Sequence, residues 1–400
     1  MSSLRASYPV LKDRFSSYTK LTFGVYDWWT NPGRPIEANG YMFMQDESLL
    51  FVSLDGVTFI PIYELYYKIT DVAYGDGKYV FSGTDSHILT SEGPDAYYNW
   101  NIEEQDYDES LGLVDDFMCV HFDGTAFIVS GESAGAPPSS LPMFQRALPA
   151  DVTDWTAING ASVPPGETEE VIIWNIDSYG GRMVAVGAAY GEYGEGLGSR
   201  DVIQYSDDHG LTWTNVTPPG MQPQGASQGL TELEVTGDGR FVALSSEYAQ
   251  GMAEWDPPWT IRFIQSTDGA TWELINDRLM SPFIWEQHSE PYAVWDVINR
   301  SALFLVGGAV LVLLPGMEMQ IGRMGADGPD NFEHVPFPSF KGYSKGMCLF
   351  KGNYYLEVEP GEDEGVPCYL IAFTPRVPIN PADLEWTPHE EYPTGPELPP

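Results

Sequence analysis

The stretch Ser266-Thr-Asp-Gly-Ala-Thr-Trp272 decides the fold, because the chain writes it more than once. Ser206-Asp-Asp-His-Gly-Leu-Thr-Trp213 is the same phrase with one residue added, and Ser53-Leu-Asp-Gly-Val-Thr-Phe59 is a third copy with Phe in place of Trp. Each follows one apolar run and precedes another. The pattern predicts a β-hairpin in which Asp accepts hydrogen bonds from the turn backbone, Gly supplies a positive φ, and the closing aromatic packs on a neighbour. Ser53, Asp55, Ser206, Asp207 or Asp208, Trp213, Ser266, Asp268 and Trp272 are therefore expected to be structural residues of these turns.

Working outward, the phrase is the third turn of a longer repeat: apolar run, Gly turn, apolar run, insertion, apolar run, Asp-Gly turn, aromatic-led run. One copy runs through Leu233-Glu-Val235, Phe241-Val-Ala-Leu244, Ile261-Arg-Phe-Ile264 and Trp272-Glu-Leu-Ile275. The copy before it uses Ile172-Ile-Trp174, Met183-Val-Ala-Val186, Val202-Ile-Gln-Tyr205 and Trp213. Weaker copies align on the first turn at Gly75-Asp-Gly77, Phe122-Asp-Gly124, Asn299-Arg-Ser301 and Lys351-Gly-Asn353, the last leading to Leu384-Glu-Trp386. Leu21 to Tyr63 supplies one more unit. Four-stranded units of about 35 to 60 residues are what propeller blades require. The expected architecture is all-β, a seven-bladed propeller of four-stranded antiparallel blades. The strand Leu21 to Tyr26 has two homes open to it: the first unit, or the last blade, where it would tie the chain ends together. The single domain is drawn at 21–389, with an N-terminal arm at 1–20 and a Pro- and Glu-rich tail at 390–400.

The repeated phrase resembles the Asp-box, or BNR repeat, of sialidase-like and sortilin-like β-propellers. The motif carries fold more than function, because in such families it stands away from the active site. In the texture of its irregular boxes and aromatic, Gly-rich loops, the region Leu21 to His389 also resembles propellers of tailed-bacteriophage virions. That second resemblance implies a tail, fibre or capsid-surface component, made in the host cytoplasm, that contacts other virion proteins or host glycans.

Composition narrows the partners. The chain has 400 residues and a formal net charge of −39, which disfavours nucleic acid and anionic membranes. Its acidity is dispersed and reads as a solubilising shell. Three cysteines, Cys119, Cys348 and Cys368, are too few and scattered for a disulfide scaffold. The N-terminus lacks the apolar stretch of a signal peptide, and the apolar run 302–314 is too short to span a bilayer as a helix.

Catalytic chemistry finds little support. A sialidase would need a substrate-binding arginine triad, an Arg-Ile-Pro phrase and a Tyr–Glu pair. Here Arg34-Pro-Ile36 is a poor echo, and Arg182, Arg240 and Arg300 fall beside the short first turns. No Gly-x-Ser-x-Gly elbow, phosphate loop or His-Glu-x-x-His occurs, and the six histidines lack metal spacing. The chain reads as a non-enzymatic binding module without cofactor. A glycan-active hydrolase using pocket carboxylates is the runner-up, and an Asp-box assembly factor a third reading. Calcium is the metal best suited to its oxygen-rich loops, with Asp106-Tyr-Asp-Glu109 and Glu362-Asp-Glu364 as the local clusters; solvated loop charge is the simpler account.

Alternation of strand direction puts the loops between second and third strands on the same end as the connections between blades. These are the long ones, and long loops on a rigid scaffold carry binding. Aromatics concentrate there: Tyr190 and Tyr193 in one insertion, Tyr248, Trp255 and Trp259 in the next, and Trp285 in a blade connection. Exposed rings of this kind suit sugar stacking or protein interfaces.

Overall fold

The computed structural model describes residues 15–25, 35–46, 48–96, 99–106, 116–133, 142–161, 167–193, 196–218, 227–248, 259–279, 302–306, 309–314, 318–325, 328–335, 347–358 and 367–375. Every regular element among them is a β-strand, and none is a helix long and apolar enough to cross a membrane. The strands fall into seven antiparallel groups of four. Blade 1 holds β2 (Ile36–Ala38), β3 (Tyr41–Asp46), β4 (Leu49–Ser53) and β5 (Phe59–Glu64). Blade 2 holds β6 (Ile69–Gly75), β7 (Lys78–Gly83), β8 (His87–Ala96) and β9 (Asn99–Asp106). Blade 3 holds β10 (Phe117–Phe122), β11 (Phe127–Ser133), β12 (Pro142–Leu148) and β13 (Asp151–Asn159). Blade 4 holds β14 (Glu167–Tyr179), β15 (Arg182–Tyr193), β16 (Gly196–Ser206) and β17 (Thr214–Val216). Blade 5 holds β18 (Ser227–Val235), β19 (Phe241–Tyr248), β20 (Trp259–Ser266) and β21 (Glu273–Leu279). Blade 6 holds β22 (Ala302–Val306), β23 (Ala309–Leu314), β24 (Glu318–Gly325) and β25 (Gly328–Val335).

Blade 7 closes the ring. Its first three strands are β26 (Met347–Phe350), β27 (Asn353–Val358) and β28 (Pro367–Pro375). The fourth is β1 (Phe15–Val25), which pairs antiparallel with β28, Leu21 opposite Leu370. Of the two homes open to the N-terminal strand, the structure takes the last blade. The strand begins at Phe15, inside the stretch set apart as an arm, while Leu384–Trp386 and the tail lie outside the described residues. Pairing the two ends of the chain replaces an open sheet edge with ladder hydrogen bonds.

The first strands form the inner ring, since β26, β2, β6, β10, β14, β18 and β22 neighbour one another in succession. Side chains stitch that ring. Asp71 Oδ1 caps the Val72 amide of its own strand at 2.9 Å, and Oδ2 accepts from the Val120 amide of the next blade at 3.1 Å. Asp177 repeats the arrangement with the amides of Ser178 and Val235, and His121 Nε2 meets Ser178 Oγ at 2.7 Å.

Cores lie between blades. Phe43, Tyr79, Phe81 and Trp100 pack blade 1 on blade 2, with Phe43 and Trp100 ring centroids 5.3 Å apart and edge to face. Trp213 stacks on Phe144 of blade 3 at 4.0 Å. Trp272 packs among Val184, Val186 and Ile203 of blade 4. The apolar faces of twisted sheets are buried against each other this way, and the rings that close the box phrases fill the wedges.

Two features depart from the sequence reading. In blade 6 the sequence predicts the first turn at Asn299-Arg-Ser301, but Val306 pairs with Ala309, so the first hairpin spans Ala302 to Leu314. The apolar run around Gly307-Gly308 is thus two strands, and Ala309–Leu314 is the second strand of a blade. The sequence predicts a long loop at the insertion Ala188 to Asp201. It is instead a ribbon in which β15 and β16 pair without a break from Met183–Ser206 to Tyr193–Gly196. Hydrogen bonding alternates along both strands with no Pro to interrupt it, so the ladder continues past the blade. Pairing of β11 with β14 and of β16 with β18 then merges blades 3, 4 and 5 into one sheet.

Candidate functional site

The strand directions divide the propeller into two ends. At one, the turns after first and third strands are short; we call it the turn end. At the other lie the connections between blades and between second and third strands.

The turn end is built from the box phrases. Asp55 Oδ1 accepts from the amides of Val57 and Thr58 at 2.8 and 2.6 Å and from Ser53 Oγ at 3.2 Å. Its Oδ2 takes the Thr58 hydroxyl at 3.0 Å. The Thr58 amide foremost, with the Val57 amide and two hydroxyls, holds the Asp55 carboxyl at about 2 against a smaller opposing effect of burial. Asp268 accepts from the Ala270 and Thr271 amides at 2.9 and 2.6 Å, and Asp208 from the Thr212 amide at 2.8 Å. Burial pushes these two carboxyls up, and the turn donors still bring both below the usual range. Between the two adjacent acids, Asp208 caps the turn and Asp207 does not: Asp207 receives the Arg182 guanidinium at 2.6 and 2.8 Å.

Each box turn rests on the first turn of the preceding blade. Lys351 of blade 7 donates to the Leu54 carbonyl of blade 1, and Arg182 of blade 4 to the Asp268 carbonyl of blade 5. Asp123 of blade 3 meets His209 of blade 4. The glycines of the boxes make this seating possible. A Cβ on Gly56, which has φ +75°, would lie 1.9 Å from Tyr355 Oη, and one on Gly210, φ +78°, 2.5 Å from Ile128 Cδ1.

The long-connection end holds the aromatics singled out as binding residues. Tyr190 and Tyr193 stand in β15 opposite Ser199 and Gly196, so both belong to the ribbon rather than to a loop. Tyr248 and Trp259 face each other as the last pair of the β19–β20 ladder. Trp255 and Trp285 lie outside the described residues, as do residues 107–109 and 362–364 of the two carboxylate clusters. Not every connection at this end is long. The second and third strands join across 47–48 in blade 1 and 84–86 in blade 2.

No three His, Cys, Asp or Glu side chains among the described residues are arranged to hold a metal. Among the described residues, Ser178 and His121 form a Ser–His contact, at 2.7 Å. Burial pushes the His121 ring down to about 4, countered by the nearby Asp123 charge. Asp123 is spent elsewhere: Oδ1 takes the Thr125 and Ala126 amides, both at 2.8 Å, and Oδ2 takes His209 Nδ1 at 2.6 Å. The His121–Ser178 contact thus links the first strands of blades 3 and 4.

Sequence reasoning missed Gly83, Gly131 and Gly187, which end or interrupt second strands. A Cβ there would meet the Lys68, Asp116 and Ile172 carbonyls at 2.9, 1.8 and 1.9 Å. Their recurrence as Ser82-Gly83, Ser130-Gly131 and Val186-Gly187 was the available signal.

With this geometry in view, comparison with solved structures places the chain among β-propellers. A structure described as "YCF48 bound to D1 peptide" superposes with a TM-score of 0.50 at 12% identity, covering 90% of this chain and 96% of the other. The WD40 β-propeller domain of Doa1 does so at 0.50 and 10%, covering 90% and 97%. A chain of the mitotic checkpoint complex gives 0.53 and 9%, covering 90% and 94%. No protein-family model and no curated protein matches the chain. The likeness is one of fold: a β-propeller.

Proposed function

We propose that this chain is a non-enzymatic propeller that binds a protein partner through its long-connection end, within a bacteriophage virion. The observation that carries the binding role is the asymmetry between ends. The turn end is closed by short turns that hydrogen-bond to one another. The opposite end sends out the β14–β16 ribbon and the β19–β20 hairpin, each bearing aromatic residues. Rigid scaffolds with one elaborated end bind there. Two similar propellers are seen with partners: YCF48 with D1 peptide, and the mitotic checkpoint complex chain within its assembly. The virion role rests on the sequence resemblance alone. Made in a host cytoplasm, such a chain would be incorporated into the tail, fibre or capsid surface, where glycan contact is a further use for the same rings.

The test is cross-linking mass spectrometry on particles purified from the native source. Cross-links from this chain to a virion protein, concentrated on the ribbon and the β19–β20 hairpin, are the expected outcome. Absence of the chain from particles removes the virion role. Contacts confined to the turn end or outer strands remove the binding end. Hydrolysis of a sialoside or common glycan that disappears with one pocket carboxylate would overturn the non-enzymatic reading.

A further inference from the structure

Seven of the eight exposed large hydrophobic side chains among the described residues stand at the turn end; Tyr66, 91% exposed, is the other. Three of the seven lie at the turn-ward ends of first strands: Tyr179, the last residue of β14, at 51% exposure, and Tyr74 and Leu349, each one residue short of the end of its strand, at 38%. Leu54, Val57 and Leu211 lie just outside them, on box turns. Isolated exposed hydrophobics are ordinary on any protein. Their gathering at one end of the propeller, on the first strands of blades 2, 4 and 7 and on the box turns beside them, is the mark of a surface that another molecule covers.

The charges of the same end say what kind of molecule. The cations described here are already engaged: Lys78 with Glu92, Arg182 with Asp207, Arg240 with Asp238, and Arg146 and Lys351 with the carbonyls of His209 and Leu54. Asp55, Asp76 and Asp208 form no ion pair among the described residues. Carboxylates still outnumber cations at this end, and an apolar surface with net negative charge complements cations interleaved with apolar groups. A second copy of a chain with net charge −39 would bring like charge to like, as would nucleic acid or an anionic membrane.

We propose that the turn end, around Tyr74, Tyr179 and Leu349, is a second docking surface, and that its occupant is a lysine- or arginine-bearing, apolar-rich segment of a partner protein. Leucine-like side chains of that segment cover the rim while its cations lie over the surrounding aspartates. This surface is separate from the long-connection end, so partners held at the two ends would be bridged by the propeller.

The experiment uses the full chain and a short fluorescent peptide of alternating lysine and leucine, read by anisotropy. Two control peptides carry serine in place of leucine and glutamate in place of lysine. The combined variant Tyr74→Ser, Tyr179→Ser, Leu349→Ser leaves net charge unchanged, so any loss reports the apolar rim. The expected result is that both control peptides bind weakly and that the variant weakens Lys/Leu binding about tenfold or more, whereas Tyr66→Ser at the far end leaves it unchanged. Equal binding by the triple variant, or equal binding of the Lys/Ser peptide, overturns the proposal by showing charge attraction alone. Should the triple variant fail to fold, the three single variants are compared with Tyr66→Ser. A loss in each supports the surface and a loss in none rejects it.

Discussion

His209 Nδ1 lies 2.6 Å from Asp123 Oδ2, joining the box turn of blade 4 to the first turn of blade 3 across 86 positions of sequence. The Asp123 side chain is 2% exposed and that of His209 42%. The histidine holds a positive φ of 59°, a conformation uncommon for L-residues. Here the Arg146 Nε bond to the His209 carbonyl, 2.7 Å long, is part of what fixes it.

That pair gives the protein an acid-sensitive seam. Burial raises the Asp123 pKa, and the Ala126 amide, His209 and the Thr125 amide together bring it below its ordinary value. A depressed carboxylate contributes stability above its unfolded pKa that is lost as pH falls through the folded one. His121, neutral and held down to about 4 by burial, acts in the same direction over a higher window. The unfolded chain takes up that proton from about pH 6.5 downward, so stability falls between there and about 4. Asp177 opposes them. Burial raises it to about 6 in spite of its two amide donors, so its contribution is present below about 4 and lost as pH rises through 6. Urea denaturation from pH 4 to 7 is expected to show a weak net slope in the parent. His121→Gln should leave stability falling as pH rises, and Asp177→Asn should leave it falling as pH drops. An unchanged slope in both variants would place neither group in the folded seam as described.

Trp272 is 8% exposed and its Nε1 donates to the Gly269 carbonyl at 2.9 Å, so the ring both fills the wedge between blades 4 and 5 and ties its own turn. Trp272→Ala is expected to cost about 3–5 kcal/mol by chemical denaturation. A loss within about 0.5 kcal/mol, typical of surface changes, would show that the ring is not structural.

Gly187→Ala places a methyl carbon 1.9 Å from the Ile172 carbonyl oxygen, backbone against backbone. Overpacking of this kind costs about 1–3 kcal/mol. At Gly77 nothing lies within 4 Å, so Gly77→Ala isolates the strain of its positive φ, 81°. Comparing the two melting temperatures separates close approach from backbone conformation, and the larger drop is expected at Gly187.

Removing residues 1–25 deletes β1 and leaves β28 as an unpaired edge. The truncated chain is expected to lose cooperative unfolding and to self-associate, as exposed edges do, measured by sedimentation velocity. A monomer melting like the parent would show that closure contributes nothing.

Association with the long-connection partner should weaken by more than about 2 kcal/mol in the double variant Trp255→Ala, Trp259→Ala if those rings are anchors. Titration calorimetry against the cross-linked partner checks it. Unchanged affinity moves the contact elsewhere on that end.

Local chemistry is legible in a sequence where a turn is made by its own residues. The phrases at Ser53, Ser206 and Ser266 close within seven or eight residues, so their acids, glycines and rings could be read directly, and their repetition gave blades and a propeller. Tertiary structure decided what depends on distant partners. Whether Asp207 or Asp208 capped the turn turned on Arg182, which claims Asp207 from another hairpin. Whether Leu21 opened the first blade or closed the last depended on β28, far along the chain. The apolar run after Ala302 resolved into two strands only through their mutual register, and Ala188 to Asp201 became a ribbon only through cross-strand pairing. The glycines at 83, 131 and 187 are needed because of carbonyls on, or just before, the neighbouring first strand. A sequence carries its turns within a few bonds, whereas pairing, closure and close approach are settled by whichever distant strand comes to lie alongside.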